Sequence, residues 1–281
     1  MEVFLDFDHR YLRGSFWWRR VGVGIAAEAP PGAIDSGFFY DNGNFTLIRF
    51  PGATVTYANG ISNNGLIVGQ YSTGNGFLGF LYDHGTYTTI SFPGSTSSTA
   101  VGVNSNGEIV GTYTDTLGGR NGFLFNGSSY ETISPPIGIN DLGQILVSAI
   151  SPCALGIVNG GSFTPISLPS SAYCVTGFND LDQLVGTFTE TFGHHGFVDD
   201  HGVINIFQVP ESVTPDGTST LATGINDFGE TTGSWQGSQA GHEHAYVATP
   251  VPEPATLSLA AIAVVTFAAL FAAGRCIHFS A

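Results

Sequence analysis

The chain contains no lysine: its seven basic residues are all arginines, set against 22 acids for a formal net charge of −15. Arg10, Arg13, Arg19 and Arg20 crowd the N-terminal end, and between Val21 and Gly274 only Arg49 and Arg120 remain. Such a body repels phosphate backbones, which excludes nucleic acid as a partner. Charged residues of either sign are scarce at 10%, whereas helical soluble proteins are usually rich in Glu, Lys and Arg. Cysteine is also scarce. Three do not make a disulfide scaffold, and their spacing fits no zinc site. Cys153 and Cys174 are the candidate disulfide pair if the body is exported, with two buried thiols as the alternative, and Cys276 lies near the C-terminal end. There is no Gly-x-Ser-x-Gly elbow, no phosphate-binding Gly-Lys-Ser/Thr loop and no His-Glu-x-x-His helix. No cofactor is implied.

What the chain has in abundance is glycine (39 residues) and aromatics (12%). Together they indicate an all-β protein with many tight turns, long enough at 281 residues to bury a sizeable core.

Two anchors alternate along the body. The first is a Gly-aromatic start, an apolar run and a turn, as in GFFYDNG from Gly37, GFLYDHG from Gly79, GFLFNG from Gly122, LGIVNGG from Leu155 and GFVDDHG from Gly196, with AYV from Ala245 as a sixth start. The second is GISNNGLIVG from Gly60, GVNSNGEIVG from Gly102, GINDLGQILV from Gly138, GFNDLDQLVG from Gly177 and GINDFGETTG from Gly224. Between them sits a third element, FTLIRFPG at 45–52, YTTISFPG at 87–94 and FTPISLPS at 163–170. A period of about 40 residues points to a repeat architecture, with propeller blades as the leading candidate. In residues 79–118, FLYD, YTTISF, TAVGV and EIVGTYT read as four strands of one unit. The expected fold is therefore all-β, a β-propeller-like array of about 40-residue four-stranded repeats over 36–248, with five complete units and a partial sixth. Six blades are preferred to five, and an open solenoid is the alternative. Val21–Ala27, VGVGIAA, is a candidate remnant of a preceding unit that shares the sixth blade with the C-terminal strand.

The Asn-Asp-x-Gly clusters are turn chemistry, because Asn and Gly accept positive φ and Asx side chains bond their own backbone. Asp182 replaces that glycine in the fourth copy and tolerates the conformation less well. The glycines in Val68-Gly69, Val110-Gly111 and Val185-Gly186 mark close packing or a bulge.

His195-Gly196-Phe197 and His244-Ala245-Tyr246, combined with FPG and the GINDxG-type turn before IVG, resemble the bacterial extracellular repeat family called HAF. The resemblance spans about residues 36–248 and implies an exported β-repeat protein without an assigned activity.

The two ends carry the addresses. Residues 1–35 read as an irregular segment, either a degenerate export signal or a decayed repeat: Arg19-Arg20, VGVGIAA and Ala27-Glu28-Ala29 imitate a signal peptide at its shortest limit. Residues 249–254 form a Pro-rich linker, 255–274 an uncharged apolar stretch, and 275–281 a short tail. Twenty helical residues rise about 30 Å, enough to span a bilayer, so 255–274 is expected to be a single transmembrane helix. Arg275, the basic residue behind it, places the tail in the cytoplasm and the acidic body outside. Pro252, Glu253 and Pro254 before an apolar span and a basic end resemble the PEP-CTERM sorting signal of Gram-negative exported proteins. That resemblance implies processing by a membrane-embedded exosortase, although tails of that family carry several arginines where this one has Arg275 followed by CIHFSA. The prolines keep the recognition segment extended.

Candidate metal residues are His194-His195 and His242-Glu243-His244, and candidate Ca²⁺ contacts are Asn179-Asp180 and Asp199-Asp200; all read more simply as loop and turn residues of the repeat. Glu131, Glu190 and Glu211 break the repeat without a visible connection. The sequence thus describes an exported protein without catalytic residues, with the lipid bilayer and an exosortase as partners and a role in the cell envelope or an exopolysaccharide matrix. A glycan- or Ca²⁺-binding propeller is the alternative, and a polysaccharide lyase or hydrolase a more distant one.

Overall fold

The computed structural model describes residues 11–17, 21–27, 36–41, 44–148, 155–170, 173–191, 193–209, 218–236 and 243–250. All described regular structure is β, in six sheets of antiparallel strands taken consecutively along the chain. The first sheet comprises β1 (Tyr11–Trp17), β2 (Val21–Ala27), β3 (Ser36–Asp41) and β4 (Asn44–Ile48). The second contains β5 (Val55–Ile61), β6 (Ile67–Ser72), β7 (Phe77–Asp83) and β8 (Thr86–Ile90). The third is built from β9 (Ser97–Val103), β10 (Ile109–Thr114), β11 (Arg120–Phe125) and β12 (Tyr130–Ile133). The fourth follows with β13 (Pro136–Ile139), β14 (Ile145–Ser148), β15 (Leu155–Asn159) and β16 (Ser162–Ile166). In the fifth lie β17 (Tyr173–Phe178), β18 (Leu184–Glu190), β19 (Gly193–Asp200) and β20 (Val203–Phe207). The sixth has three strands among the described residues, β21 (Thr218–Ile225), β22 (Thr231–Gln236) and β23 (Glu243–Ala248). A two-residue parallel bridge, Gly193 to Thr218 and His194 to Ser219, ties it to the fifth.

The first strands of successive sheets adjoin one another, and β1 lies against both β5 and β21. The sheets therefore close into a ring around these six strands, the arrangement of a propeller. Among the described residues no strand is shared between the first and last sheets, which meet there through contacts of β1 with β21, β22 and β23.

Two expectations are corrected. Val21–Ala27 does not share a sheet with the C-terminal strand: it is paired on both edges, with β1 and β3, inside the first sheet. The phase of the unit is also shifted by two strands. FLYD and YTTI close one sheet, whereas TAVGV and EIVGTYT open the next, so residues 79–118 straddle two sheets. The physical reason is the link after the fourth strand. At 92–98 the chain does not fold back as a hairpin. Phe92 stacks on Tyr113 of the following sheet at 3.8 Å, and its N–H donates to Ser98 Oγ at 3.1 Å. The previous link repeats this with Phe50 on Tyr71 at 3.6 Å and the Phe50 N–H on Thr56 Oγ1. The aromatic of the FPG element thus carries the chain across to the next blade.

The core lies between sheets. Val68 packs with Ile90, Ala100, Ile109 and Phe123, and Leu146 with Val175, Phe178 and Phe197. The Gly-aromatic anchor supplies the large buried side chains Phe38, Phe80, Phe123 and Phe197. Burying one phenylalanine contributes about 2–3 kcal/mol, and the alternation of strand residues aims one per sheet into these seams.

The second-anchor turns share one geometry. In each, the residue before the turn bonds the residue after it, as Asn104 to Glu108, Asn140 to Gln144, Asn179 to Gln183 and Asn226 to Glu230. Gly65, Gly107, Gly143 and Gly229 take φ between +73° and +87°, and Asp182 adopts the same region at φ +58°. An L-residue there costs about 1 kcal/mol relative to glycine.

Residues 251–281 lie outside the described residues, and with them the sorting motif Pro252-Glu253-Pro254, the expected helix 255–274 and Arg275. Among the described residues no helix is long and apolar enough to cross a membrane.

Candidate site at the channel mouth

In the first strand of five sheets, a one-residue bulge interrupts the ladder, at Asn59, Val101, Ile137, Thr176 and Thr223. All five line a central cavity of about 60 Å³, room for about two waters. Two of them stitch adjacent blades: Asn59 Nδ2 donates to the Ala100 carbonyl at 2.9 Å, and Thr176 Oγ1 to the Ala222 carbonyl at 2.7 Å.

The turns that follow these strands bring one repeat position to the mouth of this cavity: Asn63, Asp141, Asp180 and Asp227 line it, and Ser105 is bonded to Asp141. They are joined in series. Asp227 Oδ1 accepts the Asp180 N–H at 2.9 Å, and Asp180 Oδ1 accepts the Asp141 N–H at 2.8 Å. Asp141 in turn accepts the Ser105 N–H and Oγ–H, both at 2.7 Å, while Asn63 Nδ2 donates to it at 2.9 Å. Each carboxylate thus fastens the preceding blade. Beneath them the turn asparagines do the same work. Asn179, fully buried, accepts the Leu181 and Gln183 N–H groups and donates to Gln183 Oε1 and the Asn226 carbonyl. Asn140 donates likewise to Gln144 and to the Asn179 carbonyl.

Three acids share this mouth, and among the described residues no basic side chain lines the cavity. Burial first, and then the neighbouring Asp227 and Asp141 charges, push the Asp180 carboxyl up to about 6, against the lowering effect of the Asp141 N–H. The folded-state value lies above the unfolded one, so protonation favours the fold. Stability should therefore rise as pH falls from about 7 to about 4, and this gain disappears above the folded-state value. Asp180→Asn keeps the acceptor for the Asp141 N–H and removes the charge. We expect it to stabilise the protein at pH 7.5 by about 1 kcal/mol, after allowing for solvent screening, and to flatten this pH dependence. Thermal melts of both proteins at pH 5 and 7.5 check this: an equal difference at both values contradicts it.

The other sequence candidates do not join the site. His194 contacts Thr189 Oγ1 at 3.1 Å, while His195 stands 3.9 Å from Glu190. Neighbours on one strand, they face opposite sides of the sheet. Asp199 caps its own turn by accepting the Gly202 N–H at 2.7 Å, and Asp200 pairs with exposed His201. Glu131 is exposed on β12, and Glu211 and His242 lie outside the described residues. Cys174 is half-buried on β17, whereas Cys153 falls outside the described residues, and with it the disulfide expectation. Among the described residues no group of three or more His, Cys, Asp or Glu is arranged to hold a metal ion.

Sequence reasoning took Asn179-Asp180 as a turn, which it is, but missed the convergence. The signal was available in register. One repeat position in a closed ring meets itself at the axis, so aligning the five second anchors places Asp141, Asp180 and Asp227 together.

No family model matches the sequence, and no curated protein matches it. Solved structures match in shape. TolB from Acinetobacter baumannii superposes with a TM-score of 0.55 over 80% of this chain at 13% identity, and the chain spans 63% of that protein's length. A mutant of AofleA from Arthrobotrys oligospora gives 0.51 at 12% identity, covering 85% of this chain and 87% of its own. The β-propeller domain of the Trilobed protease from Pyrococcus furiosus gives 0.48 at 10% identity, covering 87% and 100%. The likeness is one of fold: an all-β chain of four-stranded sheets that resembles β-propeller structures.

Proposed function

We propose that this chain is a non-catalytic propeller carried out of the cytoplasm, with Pro252-Glu253-Pro254 and the apolar stretch behind it serving as a sorting signal or membrane tether. Its role is then structural, in the cell envelope or an exopolysaccharide matrix, and an exosortase is the processing partner. The observation that carries the reading is the use made of the channel-mouth acids. Oxygens of Asp141, Asp180 and Asp227 accept N–H groups of neighbouring blades, so these carboxylates act as fasteners. Catalysis asks for groups poised toward a substrate, with a base beside a nucleophile. Here Ser105 Oγ donates directly to a carboxylate, so the serine-histidine-acid relay of acyl transfer is not assembled at this hydroxyl.

Cell fractionation with C-terminal mass spectrometry tests the location, comparing the natural chain with one carrying alanine at 252, 253 and 254. Processing predicts that the natural chain loses the peptide containing Cys276 and leaves the inner membrane, whereas the variant keeps both. If both proteins retain Cys276 and stay in the inner membrane, sorting is wrong and plain anchoring replaces it. Turnover of a polysaccharide by the purified body would overturn the non-catalytic reading.

A further inference from the structure

The channel-mouth face is not uniform around the ring. In the fourth, fifth and sixth sheets, each mouth aspartate is followed by a large apolar residue standing in solvent: Leu142 is 62% exposed, Leu181 52% and Phe228 61%. The same positions in the second and third sheets hold Asn64 and Asn106, after Asn63 and Ser105. Three neighbouring turns therefore combine exposed apolar side chains with three carboxylates, while the turns of the second and third sheets are polar and uncharged. The hydrogen bonds from the Asp141 N–H to Asp180 and from the Asp180 N–H to Asp227 hold the three turns next to one another, so the apolar residues stand on an arc of consecutive turns.

From this face we infer an interaction surface for a partner protein, occupied by a segment that presents a lysine or arginine side chain between apolar side chains. Charge complementarity selects the occupant. Burial first, and then the two neighbouring carboxylates, raise the Asp180 carboxyl to about 6, and among the described residues none that lines the cavity carries a positive charge. A cation at the mouth relieves that repulsion, and the arc covers its apolar flanks, removing exposed hydrocarbon from water. An acidic or phosphorylated partner is repelled. The carboxylate oxygens that fasten the blades keep further lone pairs, so the fasteners need not break for the cation to bind. The inference is independent of the sorting reading, since it concerns the folded body alone.

The test uses the purified full chain in detergent and titrates a blocked Leu-Lys-Leu tripeptide, with Leu-Glu-Leu as the counterpart, by calorimetry at low salt. Saturable binding of the lysine peptide is expected, with none of the glutamate one. Binding should weaken as pH falls below 6 and as salt rises. Asp227→Asn, which retains the acceptor for the Asp180 N–H, should weaken it about tenfold, and Leu181→Ser several-fold. Leu117→Ser, at a 94% exposed leucine on the hairpin at the other end of β10, should leave it unchanged. Circular dichroism confirms that each variant is folded. The inference fails if the two peptides bind alike, or if Asp227→Asn and Leu181→Ser leave the affinity unchanged. It fails equally if binding appears only after Arg19 and Arg20, in the link from β1 to β2, are changed to Gln, because the chain's own arginines would then be the occupant.

Discussion

Asn179→Ala should lower the stability of the body by about 3 kcal/mol, a fall in Tm of about 6–12 °C for a domain of this size. The side chain is fully buried and joins two levels of structure. Its Oδ1 accepts two N–H groups that hold its own turn, those of Leu181 and Gln183, at 3.0 Å each. Its Nδ2 reaches Gln183 Oε1 at 2.8 Å and the carbonyl of Asn226, in the next blade, at 2.9 Å. Alanine leaves several of these groups in a dry seam without partners. An unsatisfied buried polar group costs about 1–3 kcal/mol, and the members of one network do not fail independently. Asn106→Ala, at an exposed turn position, should change stability by less than about 0.5 kcal/mol. Chemical denaturation of the two variants side by side measures the contrast. Equal midpoints would show that the asparagine seam does not hold the blades together.

Gly111→Ala should be at least as damaging, at about 3 kcal/mol, or should prevent soluble expression. A Cβ there would sit 2.2 Å from the backbone oxygen of Thr99 and 2.5 Å from the Phe123 ring. The carbonyl belongs to β9, next to the place where its ladder with β10 shifts by one residue, and it cannot yield without moving the channel wall. The ring is fully buried in the seam with the second sheet. The contrast is Gly138→Ala. There the nearest atom to a new Cβ is Phe178 Cε1 at 3.8 Å, an ordinary contact, and the change should be close to neutral. Comparable melting temperatures for the two alanine variants would refute the packing account of the Val-Gly pair.

These two positions also mark how far the sequence could be read. The glycine of Val110-Gly111 was legible as a bulge or close approach because it recurs at the same place in successive repeats. The turn chemistry of Asn179 was legible because Asn, Asp and Gly cluster where a chain must reverse. Neither the second half of the Asn179 network nor the blade phase was visible. Both depend on which strands lie side by side, and the reading that grouped 79–118 as one unit was wrong by two strands. A run of four strands has two ways to be cut, and the difference lies in whether a link folds back as a hairpin or crosses to the next sheet. Stacking of Phe92 on Tyr113 decides that, and it is a contact between residues far apart in sequence.

The amino-acid sequence by itself determined the class of structure, the period and the places where the chain turns, because those follow from local preferences: alternation of apolar residues, glycine at positive φ, Asx side chains bonding their own backbone. Only the tertiary structure decided that Val21–Ala27 belongs to the first sheet, that the first sheet lies against the last, and that Asp141, Asp180 and Asp227 meet at the mouth of the ring. Closure superimposes one repeat position from every blade on a single axis. A residue that is ordinary in each turn acquires like-charged neighbours there, and no property of the isolated turn contains that repulsion.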